Sequence, residues 1–405
     1  MYKPELLLVI LILTSCNNKS PDKVKELHSY KEGSFGYDLL FLQKHDSVIV
    51  LKNDSGDDRV VVSAKYQGKV FTSTAEGDTG KSFGWINYKA FDADIDPHMN
   101  AYGGENRFWL GPEGGPFSLF FPKGAEMKFE NWKTPAAFDT EPWSVASKDN
   151  NAVHLQKEMR LMNYAGTELQ LSVDRTITIL DRESIEKLVD LSLHDKLKSV
   201  GYKTVNSITN TGSKEWNEKS GMPCVWILDM FKPSDATTIL VPYNSLRSNA
   251  KIATTNYFGE ISSDRIKYNN GILFFKADGK KRGKLGLHEN RAKNIAGSYD
   301  SKSNVLTISF FDVTEGKYLD QQWTRSKSPF TGDVVNAYND GPLEDGKQMG
   351  PFYEIESVSP AAFLKPGSTL THNHSVLHFT GDKKSLDVIV KKLFGIPLED
   401  IENAF

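Results

Sequence analysis

The chain has 405 residues, 39% of them hydrophobic and 25% charged, a composition that folds and is not that of a disordered segment. Lys and Arg number 49 against 52 Asp and Glu, a formal net charge of −3, so no basic field draws the chain onto nucleic acid and no nucleic-acid partner is expected. Two cysteines exclude a disulfide scaffold and a Cys-rich zinc fold.

The N-terminus opens with an apolar run over Leu6–Leu13. A membrane span needs roughly 20 apolar residues, so this shorter run reads as the core of a signal peptide covering residues 1–15. The ending Leu13-Thr14-Ser15-Cys16 resembles the bacterial lipobox. That resemblance implies cleavage before Cys16, lipid on its sulfur, and residues 16–33 as a polar tether. Membrane contact would run through that lipid alone. The location would be the cell envelope, periplasm-facing or at the cell surface, most naturally on the outer membrane. The second cysteine, Cys224, sits in an apolar run and reads as a core thiol.

Alternation of apolar and polar residues then dominates. Strands are expected at 47–52, at 59–66 and 69–74 (a hairpin turning at Gln67-Gly68), and at 168–173, 175–180 and 188–193. Others are expected at 225–229, 237–242, 271–276, 284–287 and 304–311. One helix is expected over 382–394, where Leu386, Ile389, Val390 and Leu393 recur at helical spacing before Gly395-Ile396-Pro397. The expectation is an all-β chain: a single large antiparallel sandwich over 34–405 with a short C-terminal helix.

The densest chemistry lies in Asn100–Phe121, where two Gly-Gly pairs bracket a short aromatic strand. In an extended segment Glu105, Arg107 and Trp109 share one face. Acid, guanidinium and indole together suit a sugar, with hydrogen bonds to hydroxyls and stacking on the ring. The alternative is a Glu–Arg pair beside a structural bend with a core Trp. Glu113 follows close by. Glu354 and Glu356 lie two apart, so a strand puts both on one face, which raises one pKa and suits general acid–base work; otherwise they face solvent. His372, His374 and His378 share a face by the same rule, as polar lining or, with a third ligand, a metal site. Lys284 and His288 also share a face, at the end of a charged hairpin tip. Trp323 is a stacking plate or a core residue, Asn339 a polar lining residue. Asp92, Asp94 and Asp96 alternate but lack a further calcium-ligand pattern, and no metal or cofactor is expected.

The run Gly350–Pro360, followed by Leu364–His372, resembles the C-terminal signature of galactose mutarotase-like proteins. The segment Tyr102–Gly115 is similar to the hallmark of a family of Bacteroidetes-type lipoproteins. The resemblance implies a β-supersandwich whose concave face holds a sugar, with Arg107 and Glu354 or Glu356 in the groove. In aldose 1-epimerases a Glu takes the anomeric hydroxyl proton and a His donates to the ring oxygen. This chain has no mid-chain His-Pro pair; Asp96-Pro97-His98 is earlier and reversed. The expectation is therefore a carbohydrate-binding envelope lipoprotein. As an enzyme it would use Glu354 or Glu356 as base and His288 or His372 as acid. Glu105, Arg107, Trp109, Glu113, Lys284, Trp323 and Asn339 would line the sugar. The other reading is a non-catalytic glycan-binding or structural lipoprotein of a glycan-uptake system.

Overall fold

The computed structural model describes residues 29–245, 251–324, 328–343 and 345–405. Cys16 and its lipobox lie outside the described residues. In chain order the elements are α1 (Phe35–His45), β1 (Ile49–Lys52), β2 (Arg59–Ser63), β3 (Lys69–Thr74), β4 (Arg107–Gly111), β5 (Ser144–Lys148), β6 (Ala152–Met162) and β7 (Glu168–Leu180). Then come α2 (Arg182–Val189), β8 (Lys198–Asn210), β9 (Cys224–Phe231), β10 (Thr237–Pro242), β11 (Ile266–Asn269), β12 (Ile272–Lys276) and β13 (Gly283–Leu287). The chain closes with β14 (Ile295–Asp300), β15 (Val305–Phe311), β16 (Val335–Asn339), β17 (Tyr353–Val358), β18 (Thr369–Thr380), α3 (Lys383–Phe394) and α4 (Leu398–Glu402).

The strands form three antiparallel sheets. Ten strands run in the order β11-β12-β10-β14-β15-β18-β8-β7-β6-β5, five in the order β13-β16-β17-β9-β4, and three in the order β1-β2-β3. Alternation builds the large sheet. Along β7 every second residue from Leu169 to Ile179 is buried, and its neighbours are half-exposed. Residues Val173, Ile177, Ile208 and Val376 of that sheet join Phe108, Ile227, Ala337, Leu285 and Ile355 of the five-stranded sheet in one apolar core. The other face of the large sheet is covered by helices: Ile185, Leu386, Ile389 and Ile401 pack on Leu306, Leu377 and Phe379.

Three local expectations are corrected. Segments 168–173 and 175–180 are one unbroken strand, β7. The strand expected at 188–193 is instead the end of α2 and the turn after it. The Asp181 carboxylate accepts a hydrogen bond from Ser184 N at 2.8 Å, and Ile185 and Val189, one helical turn apart, are both buried. Helix α1, which packs Phe35 and Leu42 against Val61 and Phe71, was not anticipated. Helix α3 forms where expected: Asp382 caps it, and Gly395 ends it at φ 72°.

Candidate active site on the five-stranded sheet

One face of the five-stranded sheet turns toward the large sheet; the other, outer face carries the charged groups. Strand alternation separates them. On β17, Ile355 belongs to the core, so Glu354 and Glu356 point the other way. Register completes the face. Arg107 stands opposite Leu228, Leu228 opposite Glu356, and Glu356 opposite Asn336. One row along, Met230, Glu354, Tyr338 and Lys284 are successive partners, and Trp109 pairs with Trp226.

These rows make two ion pairs side by side. Arg107 Nη2 donates to Glu354 Oε1 at 2.6 Å, both side chains 7% exposed. Lys284 Nζ donates to Glu356 Oε2 at 2.8 Å, and Trp226 Nε1 donates to the same oxygen at 2.8 Å. The Arg107 guanidinium lies 4.9 Å from the Trp109 ring centre, and the Lys284 ammonium 4.7 Å from that of Trp226. Burial pushes the Glu354 carboxyl up, to about 8, with the neighbouring Glu356 adding to burial and Arg107 opposing it. Burial also raises Glu113, against the pull of Lys284; its other neighbours include Trp323 and Glu356. Within the two ion pairs, two buried atoms have no hydrogen-bond partner among the described residues: Arg107 Nε, a donor, and Glu356 Oε1, an acceptor. Buried polar groups are nearly always paired, so these two call for a partner from outside the described residues, an ordered water or a ligand group.

Aromatic rings wall the face. Trp226, Trp109, Phe120, Trp132 and Trp323 form a continuous series with successive ring centres 5.5 to 6.0 Å apart. Trp323 is half-buried at its outer end. Two surface pockets, of about 450 and 510 Å³, lie elsewhere, beside Asn244, Lys293 and Asp312 and beside Leu193, His194 and Asp382.

Several residues expected at this site are elsewhere. Glu105 does not share the face of Arg107. The backbone turns at Gly103 and Gly104, both at positive φ, and the fully buried Glu105 carboxylate accepts from Ser73 Oγ at 2.7 Å and lies 2.9 Å from His378 Nε2. His372 lies between the sheets, behind the glutamates. Its Nε2 is 2.8 Å from Ser357 Oγ, which also lies 2.8 Å from His374 Nδ1, while His374 Nε2 reaches Asp229 Oδ2 at 2.7 Å. Burial and His374 push His372 down to about 3, so it is neutral and on the wrong face to serve as the acid. Asn339 holds the 278–282 turn with both ends of its amide, accepting from Gly279 N and donating to Lys281 O, each at 2.9 Å. His288 follows β13, half-buried, and acts electrostatically on Asp333; Tyr257 donates to Asp333 at 2.7 Å and its ring stands 5.5 Å from Lys284 Nζ. Asp92, Asp94 and Asp96 are exposed, and among the described residues no three His, Cys, Asp or Glu gather to hold a metal ion. Cys224 is buried, its thiol pushed up to about 12 by burial, which removes it as a nucleophile. Sequence reading missed Trp226 and Tyr257 as members of the site; nothing in their local pattern sets them apart from core aromatics.

The architecture is also seen in solved structures. The Slr1438 protein of Synechocystis sp. PCC 6803 is 13% identical over 83% of this chain and 96% of its own, with a TM-score of 0.50. A galactose mutarotase-like protein from Lactobacillus casei ATCC 334 is 12% identical over 82% and 100%, with a TM-score of 0.45. A galactose mutarotase related enzyme from Lactobacillus acidophilus is 9% identical over 82% and 97%, with a TM-score of 0.43. The chain is mostly β and shares its fold with the Slr1438 protein. No curated protein matches it. Residues 33–405 match the family of unknown function DUF6786, and the chain belongs to that family.

Proposed function

We propose that the outer face of the five-stranded sheet binds a carbohydrate and exchanges protons with it at the anomeric centre. The observation that carries this reading is the pair of ion pairs, Arg107–Glu354 and Lys284–Glu356, flanked by two tryptophans and holding one unpaired donor and one unpaired acceptor. Such a mixture of fixed charges, free hydrogen-bonding atoms and flat rings suits a polyhydroxylated ring. The resemblance of Gly350–Pro360 and Leu364–His372 to the galactose mutarotase-like signature is the reason to choose sugars over other polyols, although fold alone does not select a reaction.

In this reading Glu354 is the base. A carboxyl pushed up to about 8 takes a proton readily near neutral pH. It removes the proton from the anomeric hydroxyl; the C1–O1 double bond forms as the C1–O5 bond breaks, and O5 receives a proton. With His372 behind the sheet, the proton for O5 falls to Glu113, whose burial also keeps it protonated to higher pH. Rotation and reclosure deliver the other anomer. Arg107 and Lys284 orient hydroxyls and hold the glutamates, and Trp109 and Trp226 supply stacking surface. Because the charged side chains are at most 7% exposed, a sugar reaches them by displacing part of the aromatic packing.

The test is anomer exchange, followed by magnetisation-transfer NMR on galactose and glucose, with calorimetry for binding. Glu354→Gln should abolish exchange while leaving sugar binding within a few fold. Exchange surviving in both Glu354→Gln and Glu356→Gln removes the catalytic reading. The second reading, a non-catalytic glycan-binding protein, is favoured by the near-closed face and by the absence of His372 from it; binding without exchange in the wild type would establish it. Anchorage through lipid on Cys16 is part of the same proposal, supported by the lipobox, and labelled palmitate incorporation lost in Cys16→Ala tests it.

A further inference from the structure

Lys69 is a cation that the two ion pairs leave unused. Val70 and Asn106 form an isolated antiparallel bridge, Val70 N donating to Asn106 O at 3.0 Å and Asn106 N to Val70 O at 3.1 Å. Lys69 therefore stands directly across from Arg107. Residues facing each other this way have Cβ atoms about 5 Å apart, and like charges so placed repel. Arg107 has Glu354 as its partner. Lys69 has no carboxylate within 4.0 Å among the described residues, although it is only 6% exposed. Its ammonium has the rings of Phe71 and Tyr102 for neighbours, 5.5 and 5.6 Å away.

The backbone is shaped to seat this lysine. Gly104 sits at φ +117°, and a Cβ there would come within 2.4 Å of Lys69 Cδ. The carboxylate that acts on Lys69 from nearby, Asp139, is engaged by Asn100, which donates from its backbone N at 3.1 Å and from Nδ2 at 2.8 Å. Arg107 Nε adds a buried donor with no acceptor. Two adjacent cations, one unpaired and the other with a free donor, amount to a prepared site for an anion. Burial and the Arg107 charge lower Lys69 to about 7, so an arriving anion would draw a proton onto it.

We infer that Lys69 and Arg107 form an anion subsite beside the ion-paired glutamates, and that the carbohydrate of this protein is acidic, bearing a carboxylate, sulfate or phosphate group. The inference rests on the sugar reading above and adds the class of substrate. The ring would lie over the glutamates and tryptophans, with its anionic substituent toward Lys69.

Calorimetry on the full chain at pH 6.5 tests it, first with inorganic sulfate, phosphate and acetate, then with glucose and galactose against their uronates, 6-sulfates and 6-phosphates. An acidic sugar is expected to bind at least tenfold more tightly than its neutral parent, and the member of each set that binds best distinguishes carboxylate from sulfate and phosphate. Lys69→Met should remove that preference while leaving neutral-sugar affinity within a few fold, and Lys69→Arg should retain it. At pH 8, binding enthalpies measured in buffers of different ionisation heat should show net proton uptake that Lys69→Met abolishes. Equal affinity of the wild type for neutral and acidic sugars overturns the inference and leaves the sugar reading standing; this comparison requires no variant. Lys69-dependent binding of the inorganic anions with no sugar bound supports the subsite and overturns the sugar reading. Binding of neither anion nor sugar overturns both.

Discussion

Arg107 and Glu354 meet at 2.6 Å across a separation of 247 positions, brought together because β9 lies between their two strands in the sheet. The pair is nearly buried, so each charge depends on the other for most of what water would have supplied. Removing one partner from such a pair costs about 3–5 kcal/mol, whereas replacing both with apolar residues is often close to neutral. Arg107→Met should therefore destabilise the chain by an amount of that order at pH 9, where Glu354 is ionised, and by less at pH 6, where the carboxyl can hold a proton. Arg107→Met combined with Glu354→Leu should recover most of the loss. Denaturant unfolding at both pH values measures this; a double variant as unstable as Arg107→Met alone would contradict the pairing.

Glu354 and His372 impose opposite pH slopes on stability. The folded chain raises Glu354 to about 8 from an ordinary value near 4.5, so it binds more protons than the unfolded chain between those limits. That contribution is complete below about 4.5 and is lost as pH rises through 8. His372 is lowered to about 3 from 6.5, so there the unfolded chain binds more protons. Its contribution is complete above 6.5 and is lost as pH falls toward 3, by up to about 1.4 kcal/mol per pH unit. Comparing wild type with Glu354→Gln should isolate a fall as pH rises from 4.5 to 8, and comparing it with His372→Gln a fall as pH drops from 6.5 toward 3. The variant curves running parallel to wild type across these windows would remove both assignments.

The same two residues separate chemistry from structure. If Glu354 is the base and Glu113 the acid, kcat/KM for anomer exchange should follow a bell, with one limb set by ionisation of Glu354 at about 8 and the other by loss of the Glu113 proton. His372, hydrogen-bonded to Ser357 between the sheets, should be dispensable for turnover. His372→Gln should leave kcat/KM within a few fold of wild type at pH 7.5 while altering acid stability. A hundredfold loss in that variant would return the proton-donor role to His372.

The fold was legible where a strand keeps one face dry, because period-two alternation is local. Strand β7 announces itself this way, and β15 alternates in sequence though nearly all of it is buried. Strands β10 and β12 were legible as short β-branched and aromatic runs buried on both faces, and α3 by its three-and-four spacing and its Gly395 stop. Helix α2 was misread because Leu188–Leu193 carries apolar residues that fit either period; the Asp181 cap was the arbiter. The site was legible in part. The shared face of Glu354 and Glu356 follows from their spacing alone. That Glu105 and His372 face inward does not: it depends on a glycine-turned backbone before β4 and on which face of β18 meets Ser357, and both are settled by distant strands. Lys69 gave no sign of its importance, since its place opposite Arg107 exists only once β3 is set beside the start of β4.

Gly104 provides the last test, because the close approach it permits is specific. Gly56 also sits at positive φ, but no atom lies within 4 Å of where its Cβ would be, whereas at Gly104 the added carbon would meet the Lys69 stem at 2.4 Å. Gly56→Ala should cost only the backbone strain, about 1–2 kcal/mol. Gly104→Ala should cost that strain plus an overpacking penalty of roughly 1–3 kcal/mol. Shortening the lysine removes the clash but not the strain, so Lys69→Ala with Gly104→Ala should unfold at a higher denaturant concentration than Gly104→Ala alone. If the two glycine variants are equally stable, or if the shortened lysine gives no rescue, the lysine stem does not lie over Gly104, and the opposition of Lys69 to Arg107 loses its structural basis.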